Sequence, residues 1–506
     1  MNAVDFFFEN TAGLEKKLIS GKSEEISYAG LAFDVSRLSG YLAGRYSRGD
    51  VIVLIAPNSG FFVTTYLAIM KAGCVCVPLN PAIEVGNFTY ILEKTQAVHV
   101  FWHSSVAKRL AGKESAYSDP NRKENAHAFS GQSISYTDEN EFRSLFSTNG
   151  HALYQPGPDL EQEALAQIIF TSGSTSLPKG VMITHGNLIA NTQSILGYLN
   201  LFRDDTMLVV LPFFYCYGLS LLHTHLRVGG TLVFNNNFMF LGGVLRDLKE
   251  YQCTGFAGVP SHFQILLRKS DSFRKGEFPS LRYVTQAGGK LHKSFISEFT
   301  EVFPQVRFYV MYGQTEATAR LSYLPPGRLS DKLGSIGRGI PGVELRVVDE
   351  KGNDIKAGET GEIIARGENI MKGYWGDEKA TRETLQDGWL HTGDIGMVDE
   401  DGFIYLSARK KEMIKVGGKR VSPREIEEVI VNLPGVVDCT VEGYEHPVLG
   451  EALKAIVVKS GNVDLSADDI RSSCAARLSS YKVPSEVEFK KAMEVSATGK
   501  KVKGAL

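Results

Sequence analysis

A short apolar stretch, Ile168-Ile169-Phe170, runs directly into a loop of hydroxyl and glycine residues. Glycines let backbone N–H groups come close to an anion, hydroxyls add donors, and a lysine adds a positive charge. The order predicts a buried strand followed by a polyphosphate-binding loop, although composition alone fits an ordinary surface loop equally well. The spacing is not that of the nucleotide-binding P-loop, because the lysine precedes the last glycine and a valine follows it. The loop reads Thr171-Ser172-Gly173-Ser174-Thr175-Ser176-Leu177-Pro178-Lys179-Gly180.

A second group of reactive side chains lies in Met311-Tyr312-Gly313-Gln314-Thr315-Glu316-Ala317, directly after the strand-like segment Val306–Val310. Open α/β sheets bind ligands at the carboxyl ends of their strands. An aromatic ring can cover an adenine face, and a carboxylate can hold Mg²⁺ against phosphates. On its own, this motif would be interpreted as a turn.

Further motifs follow toward the C-terminus. A basic cluster begins at Arg409, and by itself it fits a solvated linker. Nucleic-acid binding is disfavoured there because no aromatic residues are interleaved with the charges. The motifs are Gly288-Gly289-Lys290-Leu291, Gly388-Trp389-Leu390-His391-Thr392-Gly393-Asp394, Arg409-Lys410-Lys411, Lys415-Val416-Gly417-Gly418-Lys419-Arg420 and Ser496-Ala497-Thr498-Gly499-Lys500.

Taken in order, these motifs resemble the signature motifs of the adenylate-forming (AMP-binding) superfamily, and the chain looks most similar to acyl-CoA synthetases. The superfamily also includes adenylation domains of peptide synthetases and beetle luciferases. The matches run from Phe170 to Lys500 and therefore cover essentially the full chain. The resemblance implies ATP-dependent activation of a carboxylic acid to an acyl-adenylate, followed by transfer to the thiol of coenzyme A. It implies ATP, Mg²⁺ and coenzyme A as cofactors.

The resemblance also implies roles for individual residues. Tyr312 would stack on adenine, Asp394 and Arg409 would hold the ribose, and Glu316 with Thr171 would bind Mg²⁺. Catalytic roles fall to Lys500, Glu316, Lys179 and Lys415. The implied nucleotide-binding residues are Thr171, Ser172, Gly173, Ser174, Thr175, Lys179, Gly288, Gly289, Lys290, Tyr312, Gly313, Gln314, Thr315, Asp394, Arg409 and Lys500.

Two half-reactions in this superfamily imply a C-terminal unit that rotates about a hinge. Lys411 occupies the hinge position, and Gly417, Gly418 and Lys419 would line the thiol tunnel. The chain departs from the pattern at Glu494 and Val495, where Pro and Arg are usual before the terminal motif.

The acyl pocket is expected around the segment Leu211–Leu219. No acidic residue lies between Leu211 and Arg227, so a substrate α-ammonium would be buried without a partner, and an α-amino acid is disfavoured. An apolar, aromatic lining favours a fatty or aryl acid. Tyr215 stands where many acyl-CoA synthetases have His. The expected lining residues are Phe213, Tyr215, Tyr217, Leu219, Phe238, Gly258, Gly288 and Gly313.

Composition and charge limit the partners. The 506 residues carry 55 Lys plus Arg and 57 Asp plus Glu, a net charge of −2, so no global field attracts nucleic acid or an anionic membrane. The six cysteines are sparse, and Cys74 with Cys76 has poor zinc spacing and is predicted to pack in a strand. With no signal peptide or membrane span expected, the sequence predicts a cytoplasmic enzyme, either monomer or homodimer.

Strands alternate with helices through most of the chain, which predicts parallel βαβ units. After Gly334 short β segments and turns predict a small β-rich lobe. The predicted fold is therefore α/β, with a large N-terminal lobe, residues 1–409, and a separate mobile α+β domain, residues 410–506. The Gly337–Gly342 run matches a dinucleotide fingerprint, but a strand pattern follows it instead of a helix.

Three alternatives remain open at this stage. The enzyme could load its acyl group onto a phosphopantetheinyl carrier protein, since Lys415, Lys419, Arg420 and Arg424 suit either CoA phosphates or an acidic carrier helix. It could be a catalytically inactive nucleotide-binding module, which the intact motif residues argue against. An oxidative, luciferase-type second step is also compatible with the motifs.

Overall fold

The structure is a computed structural model, and it describes residues 1–22, 24–114, 134–142, 144–147, 161–171, 177–409, 412–416, 419–446, 450–460 and 463–493. The predicted site residues Ser172, Gly173, Ser174, Thr175, Lys411, Gly417, Gly418 and Lys500 lie outside these ranges.

Helices and strands alternate along the chain as the sequence predicts. The helices are α1 (Ala3–Phe8), α2 (Tyr28–Ala43), α3 (Gly60–Lys71), α4 (Val85–Thr95), α5 (Ser104–Glu114), α6 (Ser144–Ser147), α7 (His185–Leu199), α8 (Cys216–Val228), α9 (Leu241–Glu250), α10 (Pro260–Lys269), α11 (Asp271–Arg274), α12 (Lys293–Val302), α13 (Glu378–Thr384), α14 (Pro423–Val431) and α15 (Ala467–Arg477).

The strands fall into four sheets. They are β1 (Lys17–Ser20), β2 (Glu25–Ser27), β3 (Val51–Ile55), β4 (Val75–Leu79), β5 (His99–Trp102), β6 (Ser135–Asp138), β7 (Leu165–Thr171), β8 (Lys179–Thr184), β9 (Thr206–Val209), β10 (Thr231–Phe234), β11 (Gly255–Gly258), β12 (Tyr283–Gln286), β13 (Arg307–Tyr312), β14 (Ser322–Leu324), β15 (Arg338–Gly339), β16 (Val343–Val348), β17 (Thr360–Gly367), β18 (Gly373–Tyr374), β19 (Leu385–Gln386), β20 (Trp389–Val398), β21 (Ile404–Arg409), β22 (Ile414–Val416), β23 (Lys419–Val421), β24 (Val436–His446), β25 (Gly450–Lys459) and β26 (Glu486–Lys490).

Two large sheets form the N-terminal lobe, and their centres are parallel. One has nine strands in the order β15-β14-β13-β12-β11-β9-β10-β1-β2, and the other has seven in the order β18-β8-β7-β4-β3-β5-β6. Strands β3 and β4 are buried along their whole length, as expected for strands covered by helices on both faces. Cys74 and Cys76 are buried here as free thiols, which confirms that they pack in the sheet.

The β-rich lobe and the C-terminal unit are smaller antiparallel structures. The β-rich lobe has the order β16-β17-β20-β19 with β21 paired to β20, and β16 confirms that a strand follows Gly342. The C-terminal unit has the order β23-β22-β25-β24 with β26 paired to β25, and α14 packs on β24. The α/β fold class with a small C-terminal α+β unit is thus confirmed. The boundary between residues 409 and 410 stays a prediction.

The C-terminal unit contacts the nine-stranded sheet's helices through polar groups. Glu428 of α14 accepts hydrogen bonds from the Lys293 backbone N–H at 3.2 Å and lies 3.1 Å from Nδ1 of His292. Burial would raise the pKa of Glu428, but the hydrogen bond with His292 and the charge of Lys290 hold it below its usual value. Among the helices of the described residues, none combines the length and apolar composition of a transmembrane span.

One buried ion pair ties together three parallel strands of the nine-stranded sheet. The side chain of Asp205, fully buried before β9, accepts hydrogen bonds from Thr254 Oγ1 at 2.7 Å and Arg282 Nη2 at 2.6 Å. These two donors precede β11 and β12. We expect Asp205→Ala to lower the free energy of unfolding by roughly 3–5 kcal/mol, because the substitution leaves a partly buried guanidinium unpaired. Urea titration measures this.

The matched control is Asp468→Ala, which removes a carboxylate that is 89% exposed and pairs with Arg471 on the surface of α15. We expect a change of no more than about 1 kcal/mol there. Equal losses in the two variants would contradict a structural role for the Asp205 pair.

Candidate active site

The predicted phosphate loop connects two antiparallel strands. Thr171 at the end of β7 pairs with Lys179 at the start of β8, so the loop leaves and re-enters the sheet at one register position. The Lys179 ammonium lies 5.1 Å from the centroid of the Tyr374 ring and 4.0 Å from Oδ2 of Asp377. Among the described residues, Thr171 Oγ1 makes a long contact of 3.4 Å with the Lys179 carbonyl oxygen. Its hydroxyl therefore has no strong hydrogen bond to the part of the chain that the structure describes.

Glu316 reaches the same aromatic ring from the other side. It lies in a 3-10 turn, Thr315–Ala317, directly after β13, and its Oε1 accepts a hydrogen bond from the Tyr374 hydroxyl at 2.9 Å. Burial and the neighbouring Glu316 charge raise the pKa of Tyr374, so the phenol remains a donor. Lys179 and Glu316, which are far apart in sequence, thus meet at Tyr374.

Sequence reasoning missed Tyr374, because its only signal is an aromatic pair between two glycines, Gly373-Tyr374-Trp375-Gly376. The short strand β18 places it by pairing with β8. Gly373 has φ of 144°, and a Cβ there would lie 2.7 Å from Cγ2 of Thr381, so this position requires glycine. The backbone N–H of Trp375 adds a further link between β18 and β8 by donating to the Gly180 carbonyl oxygen at 2.7 Å.

A buried carboxylate brings together three of the predicted residues. Asp394 in β20 is 2% exposed, and its two oxygens accept separate hydrogen bonds, from the Tyr312 hydroxyl at 2.7 Å and from Arg409 Nε at 3.1 Å. Burial and the Asp394 charge raise the pKa of Tyr312. Burial lowers the pKa of the Arg409 guanidinium, but the charges of Asp394 and Glu412 outweigh this effect and raise it. Each carboxylate oxygen retains a second lone pair for a ligand hydroxyl.

The turn after Glu316 is strained. Thr318 has φ of 62° and ψ of −51°, a conformation that β-branched residues rarely adopt and that costs of order 1–3 kcal/mol. Asn369 holds it in place: the Thr318 hydroxyl donates to the Asn369 carbonyl oxygen at 2.7 Å, and Asn369 Nδ2 donates to the carbonyl oxygens of Arg320 at 2.7 Å and Ala317 at 3.3 Å. A Cβ on Gly313 would lie 2.1 Å from the Ala319 carbonyl oxygen, so the turn closes tightly against the end of β13.

The predicted glycine turn follows β12, beside β13. Gly288 has φ of 83°, and Gln286 Nε2 donates to the Gly289 carbonyl oxygen at 2.7 Å to close the turn. Lys290 leaves the turn toward α14, 3.8 Å from Glu428, and burial lowers its pKa. On the neighbouring strand end, Gln314 Nε2 is buried and has no hydrogen-bond partner among the described residues. A ligand acceptor would satisfy it.

The predicted pocket residues divide into two groups. Tyr217, Gly258 and Gly288 gather at the ends of β11 and β12, where the Tyr217 hydroxyl contacts the Thr285 carbonyl oxygen at 3.0 Å. The centroid of the Phe238 ring lies 4.1 Å from that of His262, with the two rings tilted by 36°, and the His262 Cβ lies 3.2 Å from the Cβ position of Gly258. Phe213 and Leu219 belong to the core, as Tyr217 also does: Phe213 packs on Phe62 and Phe234, and Tyr217 and Leu219 are 2% and 1% exposed. Tyr215, half-buried before α8, lies at the edge of this group, and burial raises its pKa.

The C-terminal residues lie apart from these groups. Lys415 has an exposed side chain on β22, and its backbone N–H donates to Glu451 at 2.7 Å. The Lys419 ammonium lies 4.3 Å from the centroid of the Tyr481 ring within the same unit. The described residues include no group of three or more His, Cys, Asp or Glu side chains arranged for a metal. A single carboxylate at Glu316 still fits Mg²⁺, which usually binds through one or two carboxylates plus substrate phosphates.

Comparison with known proteins places this geometry in context. Residues 8–375 match the family described as AMP-binding enzyme, and residues 425–500 match the AMP-binding enzyme C-terminal domain. A feruloyl-CoA synthase from an Amycolatopsis species is 32% identical over 485 residues, covering 95% of this chain and 93% of the relative. A long-chain-fatty-acid–CoA ligase from Salmonella typhimurium is 31% identical over 486 residues, covering 90% and 84%. The crystal structure of ATP-bound MatB from Rhodopseudomonas palustris superposes with a TM-score of 0.87 at 26% identity, covering 99% of this chain and 97% of that one.

The Asn369 contacts generate a stability prediction. Asn369→Ala leaves the buried carbonyl oxygens of Ala317 and Arg320 without their side-chain donor, and we expect the free energy of unfolding to fall by roughly 1–3 kcal/mol. Chemical denaturation measures the loss. Asn237→Ala, at an exposed position, is the control and should be neutral. Matching stabilities of the two variants would show that Asn369 does not hold the strained turn.

Proposed function

The chain belongs to the family of AMP-binding enzymes, and on that premise we propose that it joins a carboxylic acid to AMP using ATP and then transfers the acyl group to coenzyme A. One observation carries the proposal. The residues predicted to hold phosphate and metal, Lys179 and Glu316, meet at Tyr374, while the residues predicted to hold the ribose, Asp394 and Arg409, meet on Tyr312 in the same strand end as Glu316. The residues predicted to hold the phosphates and those predicted to hold the ribose therefore both lie at the carboxyl end of β13.

The chemistry follows from these charges. A carboxylate is a poor electrophile, and attack of its oxygen on the α-phosphorus of ATP expels pyrophosphate and forms an acyl-adenylate. The Lys179 ammonium, and by our proposal Lys500, offsets the charge that develops on the phosphate. Bound Mg²⁺ supplies further neutralisation of the phosphate oxygens. In the second step a thiol sulfur attacks the acyl carbon, AMP leaves, and a thioester forms.

The proposed nucleotide site retains hydrogen-bonding groups that could bind the ribose and the base. Asp394 already accepts one hydrogen bond on each oxygen, and its remaining lone pairs suit the two ribose hydroxyls. The unpartnered Nε2 of Gln314 and the Gly288 turn adjoin the same strand ends. We assign the base to this side and the phosphates to the Lys179 side.

We propose that coenzyme A, and not a carrier protein, accepts the acyl group. A cavity of about 610 Å³ opens between the Gly288 turn and the C-terminal unit. Arg424 lines it, is 16% exposed, and has an Nη1 atom without a hydrogen-bond partner among the described residues. A phosphate would satisfy that donor. Four basic residues line the cavity, namely Lys290, Lys293, Arg424 and Arg477.

The proposal also assigns roles in the second half-reaction. Lys411 would be the hinge, and Lys415 would act in thioester formation. The thiol tunnel would be lined by Gly417, Gly418 and Lys419.

The acid is proposed to be of the fatty or aryl class, not an α-amino acid. Tyr217, Phe238 and His262 contribute ring surfaces, and two backbone turns contribute glycines. The decisive experiment is ATP–pyrophosphate exchange across a panel of carboxylic acids, followed by thioester detection with coenzyme A and with a carrier protein. Exchange without any acid dependence would contradict the proposal, and thioester formation on the carrier alone would favour the second acceptor.

Glu316 provides a test of the metal assignment. Glu316→Gln removes one metal-facing charge while keeping side-chain size, and we expect the exchange rate to fall about tenfold or more, with a higher Mg²⁺ requirement. Titrating Mg²⁺ against exchange rate measures both effects. Glu378→Gln, at an exposed position of α13, is the matched control. An unchanged Mg²⁺ optimum and rate in Glu316→Gln would remove this residue from the metal site.

Arg424 tests the acceptor. Arg424→Ala is expected to raise KM for coenzyme A about tenfold, because a charge-assisted hydrogen bond contributes about 1.5–3 kcal/mol, while ATP–pyrophosphate exchange stays unchanged. Pantetheine lacks the nucleotide phosphates, so its use as acceptor should be insensitive to the substitution. Arg471→Ala on the exposed face of α15 is the control. A parallel loss with coenzyme A and pantetheine would contradict phosphate binding by Arg424.

A further inference from the structure

Arg320 is a buried cation that none of the assignments above uses. It is 3% exposed and follows the strained Thr318 turn, just before β14. The guanidinium carbon lies 4.1 Å from the centroid of the Tyr217 ring. Sequence reasoning missed it, although an arginine directly before the largely apolar segment Leu321-Ser322-Tyr323-Leu324 was a visible signal.

Among the described residues, each of the three guanidinium nitrogens of Arg320 contacts a neutral acceptor. Nε contacts the Met311 sulfur at 3.4 Å, Nη1 contacts the Ala319 carbonyl oxygen at 3.2 Å, and Nη2 contacts the Ser220 hydroxyl at 3.4 Å. Thioether sulfur is a weak acceptor, and the other two contacts are long.

No carboxylate within the described part of the chain forms an ion pair with Arg320. The contrast with other arginines is direct: Arg282 pairs with buried Asp205, and Arg409 pairs with buried Asp394. Burying a charge without a counter-charge is costly, and the contact with one aromatic ring offsets only part of this cost. The described protein supplies no anion here, so the arrangement suits an anion brought by a ligand.

The position of Arg320 relates it to the acid and not to the nucleotide. Its side chain lies among Tyr217 and Ser220 of α8, the helix that begins the predicted acyl pocket. Its backbone packs on the end of β13, where a Cβ on Gly313 would lie 2.8 Å from the Arg320 Cα atom. Arg320 therefore faces the acyl side of the strand terminus.

We propose that Arg320 binds a second carboxylate of the substrate, so that the enzyme activates a dicarboxylic acid at the end remote from Arg320. The inference rests on the proposed function and narrows its substrate class. A planar guanidinium can bind a carboxylate through two parallel hydrogen bonds. The ring-lined walls then contact the carbon chain or aryl ring between the two carboxylates.

The test compares monocarboxylic and dicarboxylic acids of equal length in ATP–pyrophosphate exchange: hexanoate with adipate, octanoate with suberate, and benzoate with terephthalate. We expect the wild-type enzyme to favour one or more diacids by about 10²-fold or more in kcat/KM over the matched monoacid. Arg320→Met should remove that preference, with the monoacid rate preserved or raised. Arg320→Lys, which keeps a charge but not the two-pronged geometry, should retain part of it.

The possible outcomes distinguish a failure of the proposed function from a failure of the role proposed for Arg320. Exchange with no acid of either series contradicts the proposed function itself. Efficient exchange with monoacids, and none with the matched diacids, leaves the proposed function standing and overturns the role of Arg320. Equal losses for both acids in Arg320→Met, at an unchanged melting temperature, would assign Arg320 to positioning Tyr217 instead and also overturn it. If Arg320→Met fails to fold, the wild-type comparison of matched acids decides alone.

Discussion

The buried carboxylate of Asp394 constrains how the parts of this molecule fit together. A charge that is 2% exposed must be paired, and its two partners come from different places: Tyr312 from the last parallel strand of the nine-stranded sheet, and Arg409 from the strand that ends the β-rich lobe. The counter-charge Arg409 lies in the same lobe as Asp394, and the Tyr312 hydroxyl joins this buried ion pair to the nine-stranded sheet. The Met371 N–H bonds to the Glu316 carbonyl oxygen at 2.9 Å, and Asn369 bonds across the Thr318 turn, so the same lobe also fixes the phosphate-side residues. The proposed active site lies at the junction that these bonds assemble.

Much of this junction could be predicted from the sequence because its components are local. Glycine turns, hydroxyl loops and a carboxylate after an apolar strand are adjacent in the chain, and their chemistry follows from residue type. The pairing of strands β3 to β5 likewise follows from continuous apolar runs separated by helices. Asp394 and Arg409 lie on strands whose register places them opposite each other, yet the sequence alone shows only a turn and a basic cluster.

What the sequence could not provide is the set of long-range partners. Tyr374 reaches Glu316 across 58 positions, and Asn369 reaches the Arg320 carbonyl oxygen across 49. Neither residue type is unusual in a loop, so only folding shows that the one bridges two charges and the other holds a strained turn. Phe213 and Leu219, predicted to line the acyl pocket, are buried in the core, Phe213 before α8 and Leu219 on it, and Tyr217 is buried there too. Periodicity identifies an apolar face without saying which part of that face meets a ligand.

Three polar groups that lack a partner or a counter-charge within the described residues lie beside the regions assigned to the three substrates. Most buried donors in proteins find partners, so each exception needs a reason. Gln314 Nε2 has no hydrogen-bond partner beside the nucleotide strand ends, and Arg424 Nη1 has none in the cavity beside the C-terminal unit, although Arg424 Nη2 lies 3.9 Å from Glu412. Arg320 has no counter-charge beside the proposed acyl pocket. A nucleotide, a phosphorylated thiol and an anionic acid would each offset the cost of one of these three groups.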